Sequence, residues 1–85
     1  MLFKRHKSYY TKEGYKQIWV PNSSEARSNG YAPQHRVVMS KKLGRPLMSD
    51  EIVHHINGNK RDNRARNLRL VSRAEHYKIH HGKRR

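Results

Sequence analysis

The chain has 85 residues, with 20 Lys and Arg against 6 Asp and Glu, which gives a formal charge of +14 at pH 7. A chain this short forms one small domain with a thin core, and its evenly spread basic residues predict a polyanionic partner, above all nucleic acid. No apolar run approaches the roughly 20 residues that span a bilayer, and no apolar signal core is present, so we expect an intracellular protein with no membrane partner. Because cysteine is absent, disulfides and thiolate metal sites are excluded.

The first part of the chain is rich in aromatic and β-branched residues. Residues 8–20 predict a β-hairpin with its turn at residues 12–14. Residues 22–30 shift to Asn, Ser, Arg and Gly, which is the composition of a surface loop. The aromatic residues could serve as stacking platforms for RNA in a basic ribosome-associated protein, although packing within the hairpin is their commoner use: Tyr9, Tyr10, Tyr15 and Trp19.

A helix is predicted next, because its two ends carry clear signals. Pro33 suits the first turn, and Gly44 followed by Pro46 ends the helix. Lys41 and Lys42 lie on a face that is either solvated or in contact with phosphates. Three apolar residues are expected to form the core-facing stripe: Val37, Val38 and Leu43.

The last third of the chain alternates strand and helix signals. Residues 51–56 predict a strand, a short helical turn is expected near residues 62–66, and residues 68–71 predict a second strand. Ser72 and Glu75 form a Ser-x-x-Glu capping box, so a final helix should begin directly after Ser72.

Four histidines of this last third point to chemistry. His54 and His55 are adjacent in the first strand, while His76 and His80 are four residues apart and share a helix face. A strand aims neighbouring side chains to opposite faces, but a turn at residues 57–58 would let the first pair converge. Imidazole binds divalent metals and, with a pKa of about 6.5, accepts a proton near neutral pH. Those are the two functions that a phosphodiesterase requires. A lone histidine is more often structural, but this spacing favours a site.

Asn67 has two interpretations. It could cap or turn the chain before the second strand, or its amide could hydrogen-bond to His55 and fix the tautomer of that imidazole. Among the other histidines, His6 and His81 are expected at the surface, and the role of His35 near the helix start is open.

These segments together resemble the HNH endonucleases of the ββα-metal, or His-Me finger, class. The similarity extends upstream to residues 30–47, which look like the segment preceding the motif in small phage-type HNH proteins, so it covers residues 30–81. The motif residues that carry it are His54-His55-Ile56-Asn57-Gly58-Asn59-Lys60, Asp62-Asn63-Arg64, Asn67-Leu68, Glu75-His76 and His80.

The resemblance implies an α+β fold: an N-terminal β-hairpin, a helix, then a ββα-metal finger of two antiparallel strands and a C-terminal helix around one metal site. We expect a single HNH nuclease domain over residues 1–85. Its parts are a hairpin and loop (1–30), a helix and connector (31–50), the ββα-metal motif (51–82) and a basic tail (83–85).

The resemblance also assigns roles. His55 would be the general base and Asn67 would hold the catalytic loop and His55, with His54 and His76 as metal ligands. His80 would be a further ligand or a contact to the scissile phosphate. The implied reaction hydrolyses DNA to 5′-phosphate and 3′-hydroxyl ends with one divalent ion, by nicking or by double-strand cleavage. Four basic residues would hold the strand with little sequence specificity: Arg45, Lys60, Arg64 and Arg66.

One departure from the family pattern bears on the metal. Relatives often carry Asp where this chain has His54, and an all-imidazole site suits Zn, Ni, Co or Mn better than Mg. Water and phosphate oxygens can still complete a Mg shell.

A non-catalytic nucleic-acid-binding module with a structural, histidine-bound zinc is the alternative function. The phage-type resemblance further suggests the host cytoplasm as the location and packaging proteins such as terminase as partners.

Overall fold

A computed structural model of the protein describes residues 6–81, with side chains described as far as residue 78. The elements form a small α+β structure with two antiparallel sheets and two α-helices. The basic tail, residues 83–85, and the side chain of His80 lie outside the described residues. No helix within residues 6–81 is both long and apolar enough to cross a lipid bilayer.

The predicted hairpin is present, and a third strand extends it to a three-stranded sheet. Strands β1 (Tyr9–Tyr10), β2 (Lys16–Trp19) and β3 (Tyr31–Pro33) pair antiparallel in that order. The third strand was not predicted, because it has three residues and runs straight into a helix. Gly30, just before β3, has a φ of 86°, and a Cβ there would lie 2.5 Å from Nε1 of Trp19, so the close approach of the two strands requires glycine.

Helix α1 (Gln34–Leu43) begins and ends close to its predicted limits. Pro33 is the N-cap in an extended conformation, not a residue of the first turn. Gly44 adopts the left-handed conformation, with a φ of 73°, and its N–H donates to the Ser40 carbonyl over 2.9 Å, which ends the helix. Leu43, expected in the core, is 40 % exposed, because the chain leaves the helix there.

The second half forms the predicted ββα unit. Strands β4 (Ile52–His55) and β5 (Leu68–Val71) pair antiparallel, with His55 opposite Leu68. Helix α2 (Arg73–His81) follows, and its capping box is confirmed by two reciprocal bonds of 3.1 Å between Ser72 and Glu75. A single 3₁₀ turn (Ala65–Asn67) precedes β5, slightly later than predicted.

The core lies between α1 and the β4–β5 pair. Met39 of α1 packs with Val53 of β4 and Leu68 of β5, and all three side chains are buried. Because α1 also packs against β2 and β3, it joins the N-terminal sheet to the ββα unit. Three partly buried apolar residues extend this cluster: Val38, Leu47 and Leu70.

The loop of residues 22–30 is tied down by a buried carboxylate. Glu25, whose side chain is 5 % exposed, accepts a hydrogen bond from the Leu47 N–H at 2.8 Å and pairs with Arg36 of α1 at 3.4 Å. Arg36 in turn donates to the carbonyls of Met48 and Glu51, at 3.1 and 2.8 Å. These bonds fasten the loop and the connector before β4 to α1.

Candidate active site

An open cleft lies at the end of β4, beside α2. Three histidines line it: His54 and His55 from β4 and His76 from α2. Its volume of about 80 Å³ is sufficient for several water molecules. The remaining lining residues come from the residue before β2, from β4 and from the turn after β4: Tyr15, Val53, Gly58 and Lys60.

The adjacent histidines reach the same cleft because the strand ends at the second of them. The His55 carbonyl accepts a hydrogen bond from the Gly58 N–H at 2.9 Å, which closes a tight turn, and Gly58 has a φ of 78° that favours glycine. The strand pleat therefore stops at His55, as the turn signal predicted. His54 is half-buried, and His55 is only 6 % exposed although it borders the cleft.

The His54 and His76 rings lie near each other at the cleft. Their centroids are 6.4 Å apart with the planes at 72°. With metal–nitrogen bonds of about 2.0 Å, a tetrahedral ion would hold two imidazole centroids roughly 5 Å apart, so these rings would have to approach each other by about 1 Å to share one ion. Among the described residues, no group of three or more His, Cys, Asp or Glu side chains is placed to hold a metal ion.

His55 is held by Asn63, a motif residue for which the sequence predicted no role. Its Nε2 lies 2.7 Å from Oδ1 of Asn63, and Nδ2 of Asn63 donates to Oε1 of Gln34 on α1 at 3.0 Å. A lone asparagine in a polar segment gives no sequence signal for such a contact. One interpretation of the sequence was that Asn67 hydrogen-bonds to His55. In the structure, Asn63 makes this contact.

Asn67 instead holds the loop after β4. Its side chain is 7 % exposed, and its Oδ1 accepts from the Asn57 N–H at 3.1 Å. Its Nδ2 donates to Oδ1 of Asn57 at 3.0 Å and to the Asp62 carbonyl at 2.9 Å. The backbone carbonyl of Asn67 accepts from the Ile56 N–H at 2.8 Å. These bonds clamp both ends of the loop of residues 57–62.

The family model of HNH endonucleases matches residues 32–78, which is more than half of the chain. The chain belongs to the HNH endonuclease family. Members of this family are DNA-cutting nucleases that generally use a divalent metal. The match takes in α1, the β4–β5 pair and most of α2, whereas β1 and β2 lie outside it. No curated protein and no solved structure matches the chain.

Two further aromatic rings lie beside His55: that of Tyr15, outside the family match, and that of His35, within it. The His35 ring, from the first turn of α1, lies 5.2 Å from the His55 ring, and Tyr15 lies 5.1 Å from His35 and 6.3 Å from His55. Burial, followed by the nearby positive charges of His55 and Arg36, lowers the pKa of His35 to about 4. His35 is therefore neutral near pH 7, and its Nδ1 is buried without a hydrogen-bond partner in the described part of the chain.

Lys60 is the basic residue that lines the cleft of this HNH protein. Its Nζ donates to the Glu13 carbonyl at 2.9 Å and lies 4.9 Å from the centre of the Tyr15 ring. The neighbouring Arg61 lies 4.0 Å above the Tyr10 ring. The loop of residues 57–62 is thus docked on the N-terminal hairpin, which the sequence did not predict.

The three arginines expected at DNA have different surroundings. Arg45 makes a bidentate pair with Glu51 at 2.9 and 2.8 Å, which lowers the pKa of that carboxyl to about 2. Arg64 makes a bidentate pair with Asp62 at 2.8 and 2.7 Å, which holds the pKa of Asp62 well below its usual range. Arg66 is exposed and forms no ion pair within residues 6–78.

Proposed function

We propose that this protein is a metal-dependent endonuclease that hydrolyses the phosphodiester bonds of DNA. The observation that carries the proposal is the convergence of His54, His55 and His76 on one cleft in a chain of the HNH family. The formal charge of +14 supports a polyanionic substrate. Because α1 packs against both sheets, we propose that the hairpin and the ββα unit act as one nuclease domain.

His55 is the proposed general base. It borders the cleft, and its ring is held on one side by Asn63. His55 takes a proton from a water molecule as the water oxygen bonds to phosphorus, and the bond from phosphorus to the 3′ oxygen breaks. The products are a 5′-phosphate and, once the leaving oxygen gains a proton, a 3′-hydroxyl end.

His54 and His76 are the proposed metal ligands, with His80 as a further candidate on the same helix. A divalent ion bound there would stabilise the negative charge that develops on the phosphate and the leaving oxygen. An imidazole pair favours Zn, Ni, Co or Mn, while Mg would need water and phosphate oxygens for most of its shell.

The surrounding residues position the substrate. Asn67 acts as a positioning residue, since it clamps the loop that carries Lys60. Lys60 lies in the cleft and is the proposed contact to the phosphate next to the scissile bond. Arg66, Arg64 and Arg45 are proposed backbone contacts further along the strand, and such contacts add affinity with little sequence specificity.

Cleavage of supercoiled plasmid with a series of divalent ions tests this proposal. We expect no cleavage in chelator and metal-dependent conversion to the nicked or linear form. H54A and H76A should weaken metal binding measured by calorimetry about 10-fold or more and reduce cleavage in parallel. H6A is the matched control, because His6 stacks on Trp19 at 3.7 Å and does not line the cleft. Full cleavage by H54A/H76A in chelator would contradict the proposal.

The second candidate is a DNA-binding module in which the histidine pair holds a structural zinc. The low exposure of His55, 6 %, favours it, since a base must reach water. This candidate predicts that the wild type binds metal and DNA without any turnover. It also predicts that H54A and H76A unfold, whereas the nuclease proposal expects folded proteins that cleave slowly.

A further inference from the structure

A chain of two hydrogen bonds connects the first turn of α1 to the imidazole of His55. Oε1 of Gln34 accepts from Nδ2 of Asn63 at 3.0 Å, and Oδ1 of Asn63 lies 2.7 Å from Nε2 of His55. Gln34 lies on α1, and Asn63 lies in the segment between the catalytic loop and the 3₁₀ turn. All three side chains are buried or half-buried, so water competes poorly for these bonds.

The direction of these bonds fixes the position of a proton. With the Asn63 amide oriented as in the structure, its oxygen faces the ring and can only accept, so Nε2 of His55 carries the hydrogen between them. In a neutral imidazole the other nitrogen, Nδ1, then holds the lone pair. A general base needs such a lone pair directed away from its protein partner.

The Gln34 oxygen faces Nδ2 of Asn63, and this contact favours the amide orientation in which the Asn63 oxygen faces His55. If that amide turned by half a rotation, its NH₂ would face Nε2 and its oxygen would meet the oxygen of Gln34. The turned amide would favour the opposite tautomer, with the proton on Nδ1 and no lone pair there. Two facing acceptors with no hydrogen between them are also unfavourable in a buried setting.

We propose that Gln34 and Asn63 are positioning residues that hold neutral His55 as the Nε2–H tautomer, so that Nδ1 is left to accept the proton of water. The catalytic part of this inference rests on the proposed function of His55 as the base. Through Gln34, helix α1 would help to position the base, although α1 lies outside the ββα motif. Asn67 then holds the loop of residues 57–62, and Asn63 holds His55. The family resemblance had assigned both roles to Asn67.

The tautomer is measured directly by long-range ¹H–¹⁵N correlation of histidine-labelled protein at mildly alkaline pH, without DNA. We expect His55 to show a protonated Nε2 and a bare Nδ1 in the wild type and in N63D, because a carboxylate also accepts from Nε2. N63A should show a mixture of tautomers, and Q34A a smaller shift toward the mixture. N22A, at an exposed loop position, is the matched asparagine control.

Single-turnover cleavage supplies the second readout. N63A should lower the cleavage rate about 10- to 100-fold with little change in DNA affinity, and N63D should restore most of it. A His55 that carries its proton on Nδ1 in the wild type, or a tautomer unchanged in N63A, would overturn the inference. Wild-type protein that shows the expected tautomer but never cleaves DNA would contradict the proposed function and leave the hydrogen-bond assignment intact.

Discussion

At the scale of single residues, the structure separates basic side chains that the sequence grouped together. Arg45 and Arg64 are each held by a carboxylate in a bidentate pair, whereas Arg66 is exposed with no such pair in the described part of the chain. A guanidinium already paired with a carboxylate must give up that pair to bind a phosphate, so the unpaired arginine should contribute more to DNA affinity.

This difference gives a paired prediction. R66Q should weaken DNA binding several-fold and lower the slope of log affinity against log salt by about 1, the effect of one lost phosphate contact. R45Q should change DNA affinity less and should lower stability instead, because Glu51 loses its partner. Fluorescence anisotropy at several salt concentrations and urea unfolding measure the two effects. A larger loss of DNA affinity in R45Q than in R66Q would contradict the proposed role of Arg66 as the stronger DNA contact.

His35 predicts a dependence of stability on pH. Its pKa is lowered by burial to about 4 in the folded protein, while an unfolded histidine has a pKa of about 6.5. Between these values the unfolded chain binds more protons than the native one, so this stability is present above about pH 6.5 and lost as the pH falls toward 4.

We therefore expect wild type to lose about 1 to 2 kcal/mol more than H35Q between about pH 7 and pH 5. Urea unfolding at the two pH values measures this loss. H6Q, at an exposed histidine, should behave as the wild type. An equal loss in H35Q and wild type would show that His35 is protonated in the native state.

At the scale of elements, local signals were sufficient for the second half of the chain. The capping box at Ser72 and Glu75, the left-handed Gly44 and the alternation in residues 68–71 each depend on neighbours within four residues. Strand β3 depends instead on pairing with β2, twelve or more residues away, and its three residues carry no periodicity of their own. The sequence therefore predicted the ββα unit and missed the third strand.

In the candidate site, too, features set by sequence neighbours were predicted and features set by distant contacts were missed. His54, His55 and His76 were identified from residue type and spacing, and the structure brings them to one cleft. Asn63 and Tyr15 could not be found in this way, because their importance comes from which other elements they meet. Asn63 meets α1 and β4, and Tyr15 belongs to a hairpin outside the family match.

The loop of residues 22–30 should contribute to stability through Glu25. E25A removes the buried acceptor of the Leu47 N–H and leaves Arg36 without its carboxylate. We expect a loss of about 2 kcal/mol in the free energy of unfolding, below the value for a fully buried pair because Arg36 is 23 % exposed. E13A, at an exposed glutamate, is the control. Equal stability of the two variants in urea unfolding would contradict a structural role for Glu25.

At the scale of the whole molecule, the charge of +14 should dominate DNA affinity. Binding that neutralises about six phosphates loses about 10³-fold in affinity between about 50 and 200 mM salt. We expect a fall of this order for duplexes of unrelated sequence alike, measured by anisotropy with H55A so that the DNA stays intact. Affinity that is insensitive to salt, or strongly dependent on sequence, would contradict a backbone-dominated mode of binding.

The central claim is that His55 accepts the proton of water in a cleft shared with a metal-binding pair. The most direct measurement is the single-turnover cleavage rate of H55A with supercoiled plasmid and a divalent ion, beside H6A and the wild type. We predict a rate at least about 10²-fold lower for H55A, the usual contribution of a general base, with DNA affinity, metal affinity and fold retained. H55A that cleaves at the wild-type rate would contradict the account.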